Sequence, residues 1–416
     1  MHEVYLPRIQ RGNAHFAANV LGATGPLLSV LVHFFEYGRW GSFVETGVEG
    51  QSLSAEDQLF ILMQAAKYLT ATRGLGAPEP RICYERAEPL CHSLGRPVLL
   101  YVALIGQWRY TLLTDKLSAA MQIAERLYSL AHEQNDAGLM LGAYRPLSCT
   151  LHYLGDFEAS RQYAMRGLQI WRSGGVQPYA EDLFTPAVGC LCYGALSEWY
   201  LGEIDSCEAH LDEAISIAKE LNDMNGLAMA LAWEANRAYH ERNPAEVDRL
   251  ASDLIELSTR QNFAYWLTLG TIYRGWARSV SGDIVEGVPW IERGIRDFRA
   301  TGSVLGLPSH LARKAEALHL ADRSSEALGA INEAEALAER FEQRYFCAEL
   351  HRLRGVILAA MGADETQIEA SFCEAIRIAR EQKSISLEKR AAGTYAEYQR
   401  QKASVSGGHG FRLPLW

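Results

Sequence analysis

The amino-acid sequence predicts an all-α fold, a right-handed α-solenoid of about eight stacked helix-turn-helix units, and three observations carry that expectation. Helical periodicity, with apolar residues three and four apart, begins near Ser54 and holds almost to Lys402. Val, Ile and Thr form no alternating runs, so no strand is indicated. Turn signals at Gly74, Asp115, Gly155, Gly202, Asn243, Gly282, Asp322 and Gly362 recur at spacings of 41, 40, 47, 41, 39, 40 and 40 residues. Unrelated helices have no reason to keep a period. A fixed one marks repeated helix pairs, each too small to bury a core alone, that must stack on their neighbours.

Taken in order, residues 1–50 read as an N-terminal helical or capping segment, with a helix expected from Leu28 to Tyr37 and a turn at Tyr37–Trp40. The solenoid follows over 51–402. Its best-preserved unit is Tyr153–Ile170, in which Gly155 ends one helix, Asp156 caps the next, and the small residues Ser160 and Gly167 let two antiparallel helices approach. The same small-residue pattern returns as Cys207 and Ala214 after Gly202, Gly287 and Gly294 after Gly282, and Ala327 and Ala334 after Asp322. After Asp115 it is half kept, and after Asn243 and Gly362 it fails. Second helices carry one-sided apolar stripes, such as Ala209, Leu211, Ala214, Ile215 and Ile217. The long interval after Gly155 places an insertion near Ser173–Pro178. A flexible, glycine-rich tail is expected over 403–416, either loose, folded back on the last helix, or docking Leu413-Pro-Leu-Trp on a partner.

Leu154-Gly-Asp-Phe-Glu-Ala with its following small residues resembles the tetratricopeptide repeat, although the period of about 40 exceeds that family's usual length of about 34. Further strings resemble the C-terminal helical-repeat region of large bacterial signalling proteins, in which a nucleotide cyclase or winged-helix domain and an ATPase precede long repeats. They are Thr70-Ala-Thr-Arg-Gly-Leu-Gly-Ala-Pro-Glu, Gln261-Asn-Phe-Ala-Tyr-Trp, Tyr273-Arg-Gly-Trp-Ala, Cys347-Ala-Glu-Leu-His-Arg-Leu-Arg-Gly and the run from Ile376 to Ala392. Tyr345-Phe346 keeps the aromatic character that those proteins show before the Ala-Glu-Leu-His string. The resemblance spans about residues 55–395 and implies architecture more than activity, because no ATPase or output domain accompanies it here.

A net charge of −10 argues against direct nucleic-acid binding, which needs a basic surface to neutralise phosphates. Arg377–Lys402 holds seven Lys/Arg against three Glu, and reads as the solvated face of the last helices. Eight scattered cysteines suit core positions in a reducing compartment. The apolar stretch Ala14–Phe35 is broken by Asn19, Gly22, Gly25 and Pro26, so no membrane span is expected, and a cytoplasmic location is the working assumption.

The sequence holds no phosphate-binding Gly-x-x-x-x-Gly-Lys-Ser/Thr loop, no Gly-x-Ser-x-Gly elbow and no His-Glu-x-x-His, so a non-enzymatic role without cofactor or metal is expected. Cys190 and Cys192 point roughly 200° apart on a helix and read as structural. In tetratricopeptide folds the first helices line a concave face through repeat positions 2, 5, 9 and 12. That register places Arg109, Arg145, His152, Trp199, Trp233, Arg237, His240, Trp276, Glu316 and His319 in the groove. Of these, His152, His240 and His319 at position 12 are expected to be partly exposed. Arginines beside tryptophans suit an extended peptide, but the same residues also serve as spacers and ion pairs between helices. The function expected is an interaction and regulatory scaffold or sensor of a bacterial signalling or transcription-control system, binding a protein or peptide segment. The alternative is an effector-sensing solenoid that controls an ATPase or cyclase upstream or in trans.

Overall fold

The computed structural model describes residues 54–174, 183–404, 413 and 415. The segment 1–50 with its expected helix and turn, most of the insertion near Ser173–Pro178, and the glycine-rich stretch 405–412 lie outside the described residues. Among those described, seventeen helices and no strand occur. The chain divides into two compact units, Met1–Gln107 and Trp108–Trp416.

In the first unit, α1 (Ala55–Arg73) starts where Ser54 Oγ accepts a hydrogen bond from Asp57 N at 3.1 Å, and ends at Gly74. α2 (Pro78–Ser93) packs against it, burying Cys83, Ala87 and Cys91 beside Leu59, Ala66 and Leu69. The boundary between the units falls inside α3 (Pro97–Thr114).

The second unit continues with α4 (Leu117–Gln134), α5 (Ala137–Leu154), α6 (Phe157–Arg172), α7 (Pro186–Leu201), α8 (Ile204–Glu220), α9 (Met224–His240) and α10 (Pro244–Gln261). It ends with α11 (Ala264–Val280), α12 (Ile284–Ala300), α13 (Leu307–Leu320), α14 (Ser324–Phe341), α15 (Cys347–Ala360), α16 (Glu365–Glu381) and α17 (Ile385–Ser404). Every expected turn falls between the two helices of a pair. At Gly155, with φ +83°, the Asp156 amide bonds back to Leu151 O at 3.0 Å, and the Asp156 carboxylate then accepts from Ala159 N at 3.1 Å. In the Asn243 turn the left-handed residue is Arg242, with φ +59°, while Asn243 caps α10 by accepting from Glu246 N.

First and second helices play different parts. Each first helix from α5 to α15 touches the first helix of the next unit, whereas second helices pack on their flanking first helices and expose one side. α7 is buried along its whole length from Pro186 to Tyr200, while α6 buries only the stripe Phe157, Ser160, Ala164, Gly167 and Leu168. The unit also closes on itself. Val304 N donates to Leu113 O at 2.8 Å, Arg344 N to Tyr153 O at 2.8 Å, and Ser384 Oγ to Tyr200 O at 3.1 Å. Each of these joins the C-terminal end of a first helix to a loop five pairs later. Main-chain groups at those helix ends thus find partners that no neighbouring pair could supply. The chain folds back at its far end too, where Leu413 and Leu415 are buried and Arg352 Nη2 donates to Leu415 O at 2.7 Å.

Candidate functional site

Because the second unit closes on itself, the inner faces of its first helices meet along an axis instead of lining an open groove. The sequence register assigns inward positions, and the structure buries most of them. Arg145 is buried, its guanidinium 5.1 Å from the Trp108 ring and 5.0 Å from Phe184. His152, expected to be partly exposed, is 1% exposed, and its Nδ1 lies 3.0 Å from Ser197 Oγ. His240 is equally buried and stacks on Trp199 at 4.2 Å. Trp276 and Glu316 are fully buried and bonded to each other, Nε1 to Oε2, at 2.9 Å. Trp233 is buried edge-on to Tyr193. Arg109, Arg237 and His319 stay half-buried, with Arg237 forked onto Glu234 and also paired with Glu241. The register thus brings together Trp276 with Glu316, Trp199 with His240, and His152 with Trp233 around one cavity.

Two features occupy the axis. The first is a buried ionic network in which Glu316 and Trp276 of the register join Tyr239, Arg242, Glu349, Arg352 and Arg390, which the register did not select. Glu316 accepts from Tyr239 OH at 2.6 Å and Arg242 Nη1 at 2.6 Å as well as from Trp276. Glu349 is held by Arg352, by Arg242 at 2.9 Å and by Arg390 at 3.4 Å. Burial pushes the Glu349 carboxyl up, but Arg352, Arg390 and Arg242 outweigh it and hold the group well below the usual carboxylate range. Arg313, on α13 three residues before Glu316 and thus on the same face, is 1% exposed. It lies 4.1 Å from the Tyr239 ring and 4.6 Å from Tyr273, and donates to Ser309 and to Asn236 Oδ1.

The second feature is a cavity of about 30 Å3, lined among others by His152, Trp233, Tyr265, Tyr273, His310 and Tyr345. Trp233 Nε1 has no hydrogen-bond partner. Burial pulls the His152 imidazole down to about 3 and holds His310 well below its ordinary value, so both rings are neutral at pH 7. One signal for this cavity was present in the sequence. The aromatic pair Tyr345-Phe346, met as part of a family resemblance, supplies Tyr345 to the lining and Phe346 to the His240 contact.

Cys190 and Cys192 are both buried, and burial drives the Cys190 thiol up to about 12. Among the described residues no group of three or more His, Cys, Asp and Glu could hold a metal ion, and no helix is long and apolar enough to cross a membrane.

Comparison with known proteins bears on the architecture. The family profile of anaphase-promoting complex subunit 5 matches residues 188–238 and 336–391. An uncharacterized protein of Rhizobium meliloti (strain 1021) is 26% identical over 203 residues, 49% of this chain, and the chain spans 20% of the length of that curated relative. Among solved structures, a Rap protein complexed with competence and sporulation factor aligns over 84% of this chain and 99% of its own, with a TM-score of 0.52 and 12% identity. A signal-transduction ATPase with a tetratricopeptide repeat sensor from Pyrococcus horikoshii aligns over 92% of this chain and 55% of its own, with a TM-score of 0.46 and 10% identity. The chain is an all-α solenoid of tetratricopeptide-like helix pairs.

Proposed function

We propose that the chain is a non-enzymatic interaction and regulatory module that takes a protein or peptide segment at the axis of its second unit. The observation that carries this reading is the chemistry of the axial lining. A core serving packing alone would be apolar, because buried polar groups contribute little and are costly when unpartnered. Here tyrosines, histidines, Asn236 and Trp233 with an unpartnered indole N–H surround a cavity. Rigid aromatic and polar side chains of this kind give contact area and hydrogen bonds to a peptide at low entropic cost. The Rap protein of similar fold was solved in complex with competence and sporulation factor, which supports a solenoid of this type carrying a bound factor.

On this reading Trp233 and His152 face the bound segment from the cavity, and half-buried Arg109, Arg237 and His319 meet it where it leaves the axis. Arg145, Trp199, His240, Trp276 and Glu316 hold the walls. The module would act as the sensor or scaffold of a bacterial signalling or transcription-control system, with an ATPase or cyclase upstream or in trans as the element it controls. An effector-sensing role is the second reading. It is favoured by the small size of the cavity, which suits one chemical group better than a chain.

Affinity capture from the source organism, followed by binding measurements with the purified partner, tests the proposal. A specific partner is expected, and Trp233→Ala with Arg237→Ala should weaken its binding at least about tenfold, the effect of losing one well-packed contact of about 1.4 kcal/mol. Recovery of no specific partner, or unchanged affinity in the folded double variant, sinks it.

A further inference from the structure

We propose that the axial cavity is a carboxylate-binding site. None of its lining residues is acidic, and several of those with polar side chains offer donors. Trp233 Nε1 has no partner in the protein. Asn236 gives its Oδ1 to Arg313, which leaves its amide N–H groups as the available end. His310 Nδ1 lies 3.5 Å from Arg313 Nη1, an arrangement that puts the ring proton on Nε2. Tyr153, Tyr265 and Tyr273 also line it and carry hydroxyl donors, while the Tyr345 hydroxyl is engaged by Ser309.

The sign of the field comes from Arg313. Its guanidinium is almost wholly buried, yet its direct partners are neutral: Ser309, Asn236 and the faces of Tyr239 and Tyr273. Its Nε has no partner. Ser309, Asn236 and Tyr273 all line the cavity, so Arg313 stands directly behind the wall. The nearby Glu316 carboxylate is already taken by Tyr239, Trp276 and Arg242. A buried cation without an anion of its own is costly, and an anion in the adjacent donor-rich space offsets that cost. A cation would find neither charge nor donor complementarity there, and a neutral acceptor would meet the donors but leave the Arg313 charge without an anion.

Size selects within the anions. A cavity of about 30 Å3 holds about two waters, at roughly 10–15 Å3 each, or the three heavy atoms of one carboxylate. The carboxylate can belong to a small free acid or to a peptide. In the peptide case the inference rests on the partner reading above and gives that partner its recognised group.

The test uses the purified full chain, followed by tryptophan fluorescence and thermal unfolding. Sodium acetate is titrated against sodium chloride at equal ionic strength, with acetamide as the neutral isostere. Acetate should give a saturable fluorescence change and a higher Tm, since a ligand of the native state alone stabilises it. Tyr265→Phe and Tyr273→Phe keep the ring and remove a donor. Each should weaken acetate binding about tenfold or more, as for a hydrogen bond to a charged group, without lowering the Tm of the acetate-free protein. No saturable acetate effect, an equal effect of acetamide or chloride, or unchanged affinity in both Phe variants overturns the assignment. Penta-alanine as free acid and as amide identifies the source. Competition by the acid alone shows a peptide terminus, and acetate binding without competition shows a small acid. Saturable acetate binding with no protein partner would sink the partner reading and leave the site standing.

Discussion

Three imidazoles, those of His152, His240 and His310, lie inside the second unit at 1%, 1% and 5% exposure. Burial lowers all three, His152 to about 3, whereas an unfolded histidine titrates near about 6.5. Between those values the unfolded chain binds protons that the native state refuses. For His152 the stability is therefore complete above about pH 6.5 and is lost as pH falls towards about 3, by about 1.4 kcal/mol per pH unit, and His240 and His310 act in the same direction. Urea unfolding of the wild type and His152→Asn at pH 7.5 and 5.5 isolates one ring. The stability gap between the two should shrink by about 1.4 kcal/mol at the lower pH, and a constant gap would mean that His152 titrates normally. The inward direction of His152, His240, Trp276 and Glu316 was legible from their place in the repeat. Their burial was not, because it depends on partners such as Arg242, Glu349 and Arg390 that sit at other positions of distant repeats. Arg313 was within reach, since it precedes Glu316 by one helical step on the same face.

At the scale of elements, the small-residue pattern has a direct steric meaning. A Cβ on Gly287 would lie 2.6 Å from Gly275 O and 2.2 Å from Ser279 Oγ, so α11 and α12 touch there through backbone. Gly287→Ala should lower stability by about 1–3 kcal/mol through overpacking. Gly329 in α14 has nothing within 4 Å of the added atom, and Gly329→Ala should raise stability by roughly 0.5–1 kcal/mol through helix propensity. Thermal unfolding of the two variants checks the opposite signs, and a Gly287→Ala protein as stable as wild type would show that α12 can slide away. This pattern was readable because it depends on one pair at a time. The Asn243 turn hid its left-handed residue because Arg242 holds that conformation instead of a glycine, and its guanidinium bonds Glu316 and Glu349.

For the second unit as a whole, the bonds from Val304, Arg344 and Ser384 to first helices five pairs earlier decide whether the axis is filled. No local periodicity could announce them, and the sequence reading accordingly expected an open groove. Hydrogen exchange provides the check. The amides of Val304 and Arg344 sit in loops, yet they should exchange as slowly as helix interiors, because freeing them requires the closure to open. Exchange at the rate of ordinary exposed turns would show that the closure opens by itself.

That closure also changes how such a chain must fold. A repeat array whose units touch only their neighbours can start anywhere and grow in either direction, and it tolerates the loss of a unit from its middle. Here Ser384 finds Tyr200 across 184 residues. The final structure therefore waits on a long loop closing, which raises contact order and slows the search. Excising one internal helix pair would not merely shorten the protein. Every later loop would arrive one rung out of step, with its donor facing the wrong carbonyl.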